Sequence, residues 1–134
     1  MFTYKIMAVS KITTDTAPQA LGPYSQAIVA GNFIFCSGQI GIDPLTNGMV
    51  GGGIMPQTDR AMANLDSILR AAGAGLGDVI KVDVYLKDMG DFMAMNEAYA
   101  KHFRAEPKPA RVTVGVARLP KDALVELSCI AYRE

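Results

Sequence analysis

The segment Pro109–Val116, PARVTVGV, places valine at every second position, the period of a β-strand with one face against a core. Arg111, Thr113 and Gly115 then share the other face. A second alternating run, Leu124–Tyr132, follows after Leu119-Pro120-Lys121-Asp122, and proline suits the second position of a type I turn. Read as a tight antiparallel hairpin, the two runs pair Val112 with Cys129, Val114 with Leu127 and Val116 with Val125, one wholly apolar face. Thr113 then faces Ser128 and Gly115 faces Glu126, with Arg111 beyond them on the same side. A bulge or a longer loop would shift this register.

Such a hairpin puts a guanidinium and a carboxylate on one strand face, with roughly 13 Å between their backbones and small residues between. Arginine offers a planar donor fork that matches a carboxylate bidentately. Glutamate can accept and return a proton, especially if burial lifts its pKa. The same residues also fit a solvated strand face carrying an exposed ion pair worth about 0–1 kcal/mol. Pattern alone leaves both readings open.

The rest of the chain surrounds these strands with a short sequence of elements. Tyr4–Ile12 reads as a first short strand. Thr13–Tyr24, with Pro18, Gly22 and Pro23, reads as irregular. Ala27–Ala30 and Phe33–Gly38 are two strands joined through Gly31-Asn32, and Asp43–Gly53 is a loop. Pro56 suits the first turn of a helix whose buried stripe is Met62, Leu65, Ile68, Leu69 and Ala72, with Gly73 as its stop. Asp78–Leu86 alternates as a strand. Asp91 is placed to cap a second helix with Met95, Ala98, Tyr99 and Phe103 on its apolar side.

The order β-β-β-α-β-α-β-β predicts an α+β fold: a five- to six-stranded sheet with two helices on one face. The other sheet face is left for water or for another chain, and its apolar strands favour an oligomer built on it.

Composition narrows the function. Half of the residues are hydrophobic, and thirteen basic residues balance thirteen acidic ones, so neither a nucleic-acid footprint nor affinity for an anionic membrane is expected. No apolar run approaches the roughly 20 residues that span a bilayer. Cys36 and Cys129 lie in apolar strands and are expected free, buried and reduced, which suits an intracellular protein. The basic start, free of acids until Asp15, leaves an organellar, mitochondrial presequence as the alternative to a cytoplasmic location. One histidine, His102, and two separated cysteines give no zinc-ligand spacing. Gly51-Gly52-Gly53 is not followed by the Gly-Lys-Ser/Thr of a phosphate loop.

Four motifs together resemble the Rid family of reactive-intermediate (imine) deaminases, the YjgF-type proteins: GPYSQA at Gly22–Ala27, SGQIG at Ser37–Gly41, VYLKDMGDF at Val84–Phe92 and PARVTVGVARLPKDALVEL at Pro109–Leu127. The resemblance runs from about Ile12 to Arg133. It implies that residues 1–134 make a single RidA-type domain, with 1–11 an N-terminal extension and first strand. It implies a chorismate mutase-like fold and a homotrimer, with the sheets forming a central barrel, helices outside and active sites in the clefts between subunits. The implied reaction is hydrolysis of 2-imino (enamine-tautomer) acids, such as 2-iminopropanoate and 2-iminobutanoate, to 2-oxo acids and ammonia. Such imines are released by pyridoxal-phosphate-dependent dehydratases acting on serine and threonine, and attack other pyridoxal enzymes.

By the same resemblance, Arg111 binds the substrate carboxylate and Glu126 positions or activates the attacking water. Tyr24 is the cleft tyrosine after Gly-Pro, and Gly38 offers its backbone N–H to the substrate. Ser37 and Asn96 line the cleft. Lys81 lies where some members place a lysine near it, without being assigned a role. Thr113 stands where many members carry cysteine; water attacks the imine carbon directly, so the change is expected to tune pocket shape or oxidation sensitivity rather than remove activity. No metal or organic cofactor is called for. The alternatives are a non-enzymatic trimer that binds small carboxylates or proteins, and a translation-inhibiting ribonuclease.

Overall fold

Strands form where apolar alternation runs, and the computed structural model describes them over residues 8–134. β1 (Val9–Ile12), β2 (Ala27–Ala30) and β3 (Phe33–Gln39) follow one another antiparallel. Gly31, at φ 59°, starts the two-residue turn between β2 and β3. Of the expected strand Tyr4–Ile12, Tyr4–Met7 lie outside the described residues. The expected loop Asp43–Gly53 is entered by a two-rung pair, β4 (Ile42–Asp43) and β5 (Gly48–Met49). α1 (Ile54–Ala71), β6 (Val79–Leu86), α2 (Phe92–Ala100), β7 (Ala110–Gly115) and β8 (Val125–Tyr132) complete the order.

The helical spacing holds in α1. Met62, Leu65, Ile68 and Leu69 are fully buried, and Gly73, at φ 79°, turns the chain away. From α2 and beyond, Met95, Ala98, Tyr99 and Phe103 are buried as expected. Asp91 precedes α2, but its side chain makes no capping bond. The acceptor is Asp88, whose Oδ1 takes the Gly90 N–H at 2.8 Å and closes the turn before the helix. No helix among the described residues is long and apolar enough to cross a membrane.

Six strands form one mixed sheet in the order β1-β2-β3-β8-β6-β7. This order corrects the expected terminal hairpin, because β6 lies between β7 and β8. The β6–α2–β7 crossover lays β7 parallel to β6 at the edge of the sheet. The connection from β7 to β8 is tied to the end of β6 instead of folding back on itself. Val116 N donates to Leu86 O at 2.8 Å, and Lys87 N donates to Leu124 O at 3.1 Å. Lys121 and Asp122 both stand at φ 54°, which a type I turn does not use.

The register turns the expected faces over. Val82 lies opposite Arg111 on one side and Cys129 on the other, and Val84 lies opposite Thr113 and Leu127. Arg111 and Thr113 therefore share the helix-covered face with fully buried valines. Tyr85 lies opposite Val114 and Glu126, so Val112 and Val114 are on the open face, 44% and 40% exposed. Arg111 and Glu126 leave opposite faces of the sheet. The open face also carries Phe33, packed edge-on against Tyr132 at 5.2 Å, and Phe35, 44% exposed. Cys36 and Cys129 face each other across β3 and β8 as buried free thiols; a side-chain hydrogen bond from Cys36 and burial both push the Cys129 thiol up.

Candidate functional site

β8 alternates Val125, Leu127, Cys129 and Ala131 into the core, and this sends Glu126 to the other face. There it shares a cavity of about 250 Å³ with Tyr24, Gly38 and Lys121. Burial raises the Glu126 carboxyl above its ordinary range. Gly38 forms the wall behind it: a Cβ at this position would lie 2.8 Å from the Glu126 carboxyl carbon and 3.0 Å from Oε2. The flexible carboxylate, not the backbone, would have to give way. Gly38→Ala should therefore leave the melting temperature within a few degrees of wild type and lower turnover about tenfold to a hundredfold by displacing Glu126. Activity equal to wild type would show that the close approach has no role.

The irregular segment before β2 is held in place by one buried amide. Gln26 Oε1 accepts from Thr14 N at 2.7 Å, while Nε2 donates to Pro18 O at 2.7 Å and to Thr14 O at 3.1 Å. This bracing delivers Tyr24 to the mouth of the Glu126 cavity, where it stays 54% exposed. Ser37 serves the same framework. Its Oγ donates to Ser25 O at 2.6 Å and its backbone N–H to Gln26 O at 3.0 Å.

Arg111 has a different setting. Its Nη1 donates to Asn96 Oδ1 at 2.7 Å, and its guanidinium carbon lies 4.8 Å from the Tyr99 ring centroid and 5.7 Å from that of Phe92. A cavity of about 310 Å³ opens here, with Asn96, Tyr99, Phe103, Lys108, Pro109 and Arg111 in its wall. No carboxylate lines it. Burial pushes the Tyr99 phenol up to about 12, against the opposing pull of the Arg111 charge. Thr113 follows Arg111 on the same face, with its Oγ1 buried and unpartnered. With one nitrogen held by Asn96, the rest of the fork is free to bind an oxyanion in its plane.

The residues singled out from sequence thus fall into two groups on one chain. Tyr24, Gly38 and Glu126 line one cavity, with Ser37 bracing it; Asn96 and Arg111 line the other, with Thr113 beside them. Lys81 pairs with Asp83 at 2.8 Å and lines neither. His102 meets Asp59 at 2.8 Å and lines neither. Sequence reasoning missed the aromatic bed under Arg111. Its signal was the spacing of Phe92, Asn96 and Tyr99 on α2, of which Tyr99 was read only as part of an apolar stripe with Met95, Ala98 and Phe103.

Residues 14–133 match the family described as endoribonuclease L-PSP. A RutC family protein of Pyrococcus horikoshii is 59% identical over 92% of this chain and 97% of its own length. The 2-iminobutanoate/2-iminopropanoate deaminase of Dermatophagoides farinae is 45% identical over 92% of this chain and 95% of its own. The crystal structure of Escherichia coli TdcF with bound serine superposes with a TM-score of 0.88 at 38% identity, covering 93% of this chain and 99% of that one.

Proposed function

The chain belongs to the endoribonuclease L-PSP family, whose members include the Rid deaminases, and from that premise we propose that it hydrolyses 2-imino acids to 2-oxo acids and ammonia. The observation that carries the reading is the Arg111 guanidinium: half-buried, backed by aromatic rings, and free of any acid in its own cavity. Such a group suits a small carboxylate, and TdcF, with the same fold, holds serine, a small amino acid. RNA cleavage, which the family description names, would call for a cationic track along the phosphates. The balance of thirteen basic and thirteen acidic residues offers little support for it.

The active site is assembled between chains. Arg111 and Glu126 point from opposite faces of one sheet, the open face leaves Phe33, Phe35, Val112, Val114 and Tyr132 exposed, and β7 has a free edge. Both features suit a cyclic assembly that brings the Arg111 cavity of one chain to the Glu126 cavity of the next. A homotrimer with the six-stranded sheets facing a central barrel satisfies them, and a cytoplasmic location beside the dehydratases belongs to the same reading.

In this cleft Arg111 takes the substrate carboxylate, with Asn96 fixing one edge of the fork, and the Gly38 N–H takes a second carboxylate contact. Each charge-assisted bond contributes about 1.5–3 kcal/mol, and together they hold the adjacent C=N carbon in place. Glu126 holds a water against that carbon. As the water oxygen bonds to carbon, the C=N pair moves to nitrogen, and Glu126 passes the water's proton to it. The resulting carbinolamine collapses as Glu126 takes the hydroxyl proton and passes it to the amine nitrogen: the C–N bond breaks, C=O forms and ammonia leaves. Tyr24 closes the mouth of the cleft, and Thr113 shapes its floor beside Arg111.

The test couples a threonine dehydratase to semicarbazide, which traps 2-iminobutanoate before it hydrolyses. Added protein should shorten the imine lifetime and reduce the trapped fraction at least several-fold. An unchanged trapped fraction at equimolar protein would overturn the deaminase reading and leave the carboxylate-binding module in its place.

A further inference from the structure

We propose that Tyr99 is a positioning residue for the Arg111 fork and acts through its ring, not its hydroxyl; the inference rests on the reading of Arg111 as the carboxylate binder. Arg111 sits on an edge strand and, among the described residues, donates one side-chain hydrogen bond, to Asn96 Oδ1. A single contact to Nη1 leaves the guanidinium plane free to swing about the Nε–Cδ bond. The Tyr99 ring, 4.8 Å from the guanidinium carbon and nearer than Phe92 at 5.7 Å, supplies the closer restraint. A flat cation held against a flat ring keeps its binding edges in the plane, where a carboxylate must meet them.

The ring is itself fixed. Tyr99 is 8% exposed on α2 and packs on Phe103 with centroids 4.9 Å apart. Its hydroxyl does nothing comparable, because among the described residues the buried Oη has no hydrogen-bond partner. A buried phenol without a partner is a cost to the fold, so the hydroxyl is not what keeps Tyr99 in its place. The part of the residue with work to do is the face turned to Arg111.

The experiment compares wild type with Tyr99→Phe, Tyr99→Leu and Tyr99→Met. It reads KM and kcat on 2-iminobutanoate, calorimetric binding of 2-oxobutanoate, melting temperature, and the Arg111 side-chain N–H resonance by NMR. Tyr99→Phe should bind and turn over within about twofold of wild type and melt no lower. Tyr99→Leu and Tyr99→Met should raise KM and Kd about tenfold with kcat little changed. In an Arg111→Lys background, the same changes should have almost no further effect, since the ring acts through the guanidinium.

The Arg111 resonance, shifted by the ring current in wild type and in Tyr99→Phe, should move toward its ordinary position in the Leu and Met variants. This readout holds whatever the protein's activity. The inference is overturned if the resonance does not move, if the Leu and Met variants bind like wild type, or if Tyr99→Phe loses as much as Tyr99→Leu. Wild type that neither binds 2-oxobutanoate nor shortens imine lifetime would instead sink the functional reading, while the NMR shift still decides the placement.

Discussion

Glu126→Gln is expected to lower kcat by about 10²–10⁴-fold, the usual worth of a positioned general base, and to make the chain more stable at neutral pH. Glutamine keeps the shape and fills the space beside Gly38 but cannot take a proton from water. The stability effect follows from burial, which raises the folded carboxyl above its ordinary value. A raised pKa means that folding favours the protonated form. That stabilising contribution is complete below the unfolded pKa, about 4.3, and is lost as pH rises through the folded pKa. At neutral pH the wild-type chain therefore carries a partly desolvated charge that glutamine avoids. Melting temperatures at pH 4 should be close, and at pH 7.5 the variant should lead. The acid limb of the wild-type kcat/KM profile should lie above the range of an ordinary glutamate and disappear in the residual activity of the variant. A variant that melted below wild type at pH 7.5, or that kept full turnover, would remove Glu126 from the proposed role.

The same glutamate shows what alternation can and cannot say. Period two assigns Glu126 and Leu127 to opposite faces, and that assignment holds in β8. It does not name the neighbouring strand, and so β7 and β8 read as a hairpin although β6 stands between them. The error came from the valines. Val112 and Val114 look like a core face, yet they are on the open side, and Arg111 and Thr113 lie over Val82 and Val84. Apolar residues on an open sheet face carry the same pattern as those of a core. The helix α1 was easier to read, because the spacing of Met62, Leu65, Ile68 and Leu69 has only one structural solution. The chemistry-bearing residue types were legible as well. Their grouping was not, since alternation within a strand does not show that Arg111 and Glu126 leave opposite faces of one sheet.

Arg111→Ala should lower kcat/KM by about 10²–10⁴-fold, the worth of two charge-assisted bonds at about 1.5–3 kcal/mol each, and leave a folded oligomer. Arg111→Lys should recover little, because a point charge cannot reproduce the fork or lie flat on Tyr99. The more searching result comes from mixing this variant with Glu126→Gln. In a cyclic trimer whose clefts take Arg111 from one chain and Glu126 from the next, every mixed trimer contains one cleft with both residues intact. Random mixing of equal amounts makes about three-quarters of the trimers mixed, so about a quarter of wild-type activity should return from two nearly inactive parents. A site contained within one chain predicts no recovery, since each chain would lack one of the two groups. Subunit exchange by refolding the mixed variants, followed by the semicarbazide assay, separates the two outcomes. Recovery near a quarter does not by itself count the chains, because in a two-fold dimer about half of the dimers are mixed and half of their clefts intact, which gives the same figure; the masses of the exchanged species therefore have to accompany the rates. Absence of recovery in a sample shown to contain mixed oligomers would overturn a cleft that takes Arg111 from one chain and Glu126 from the next.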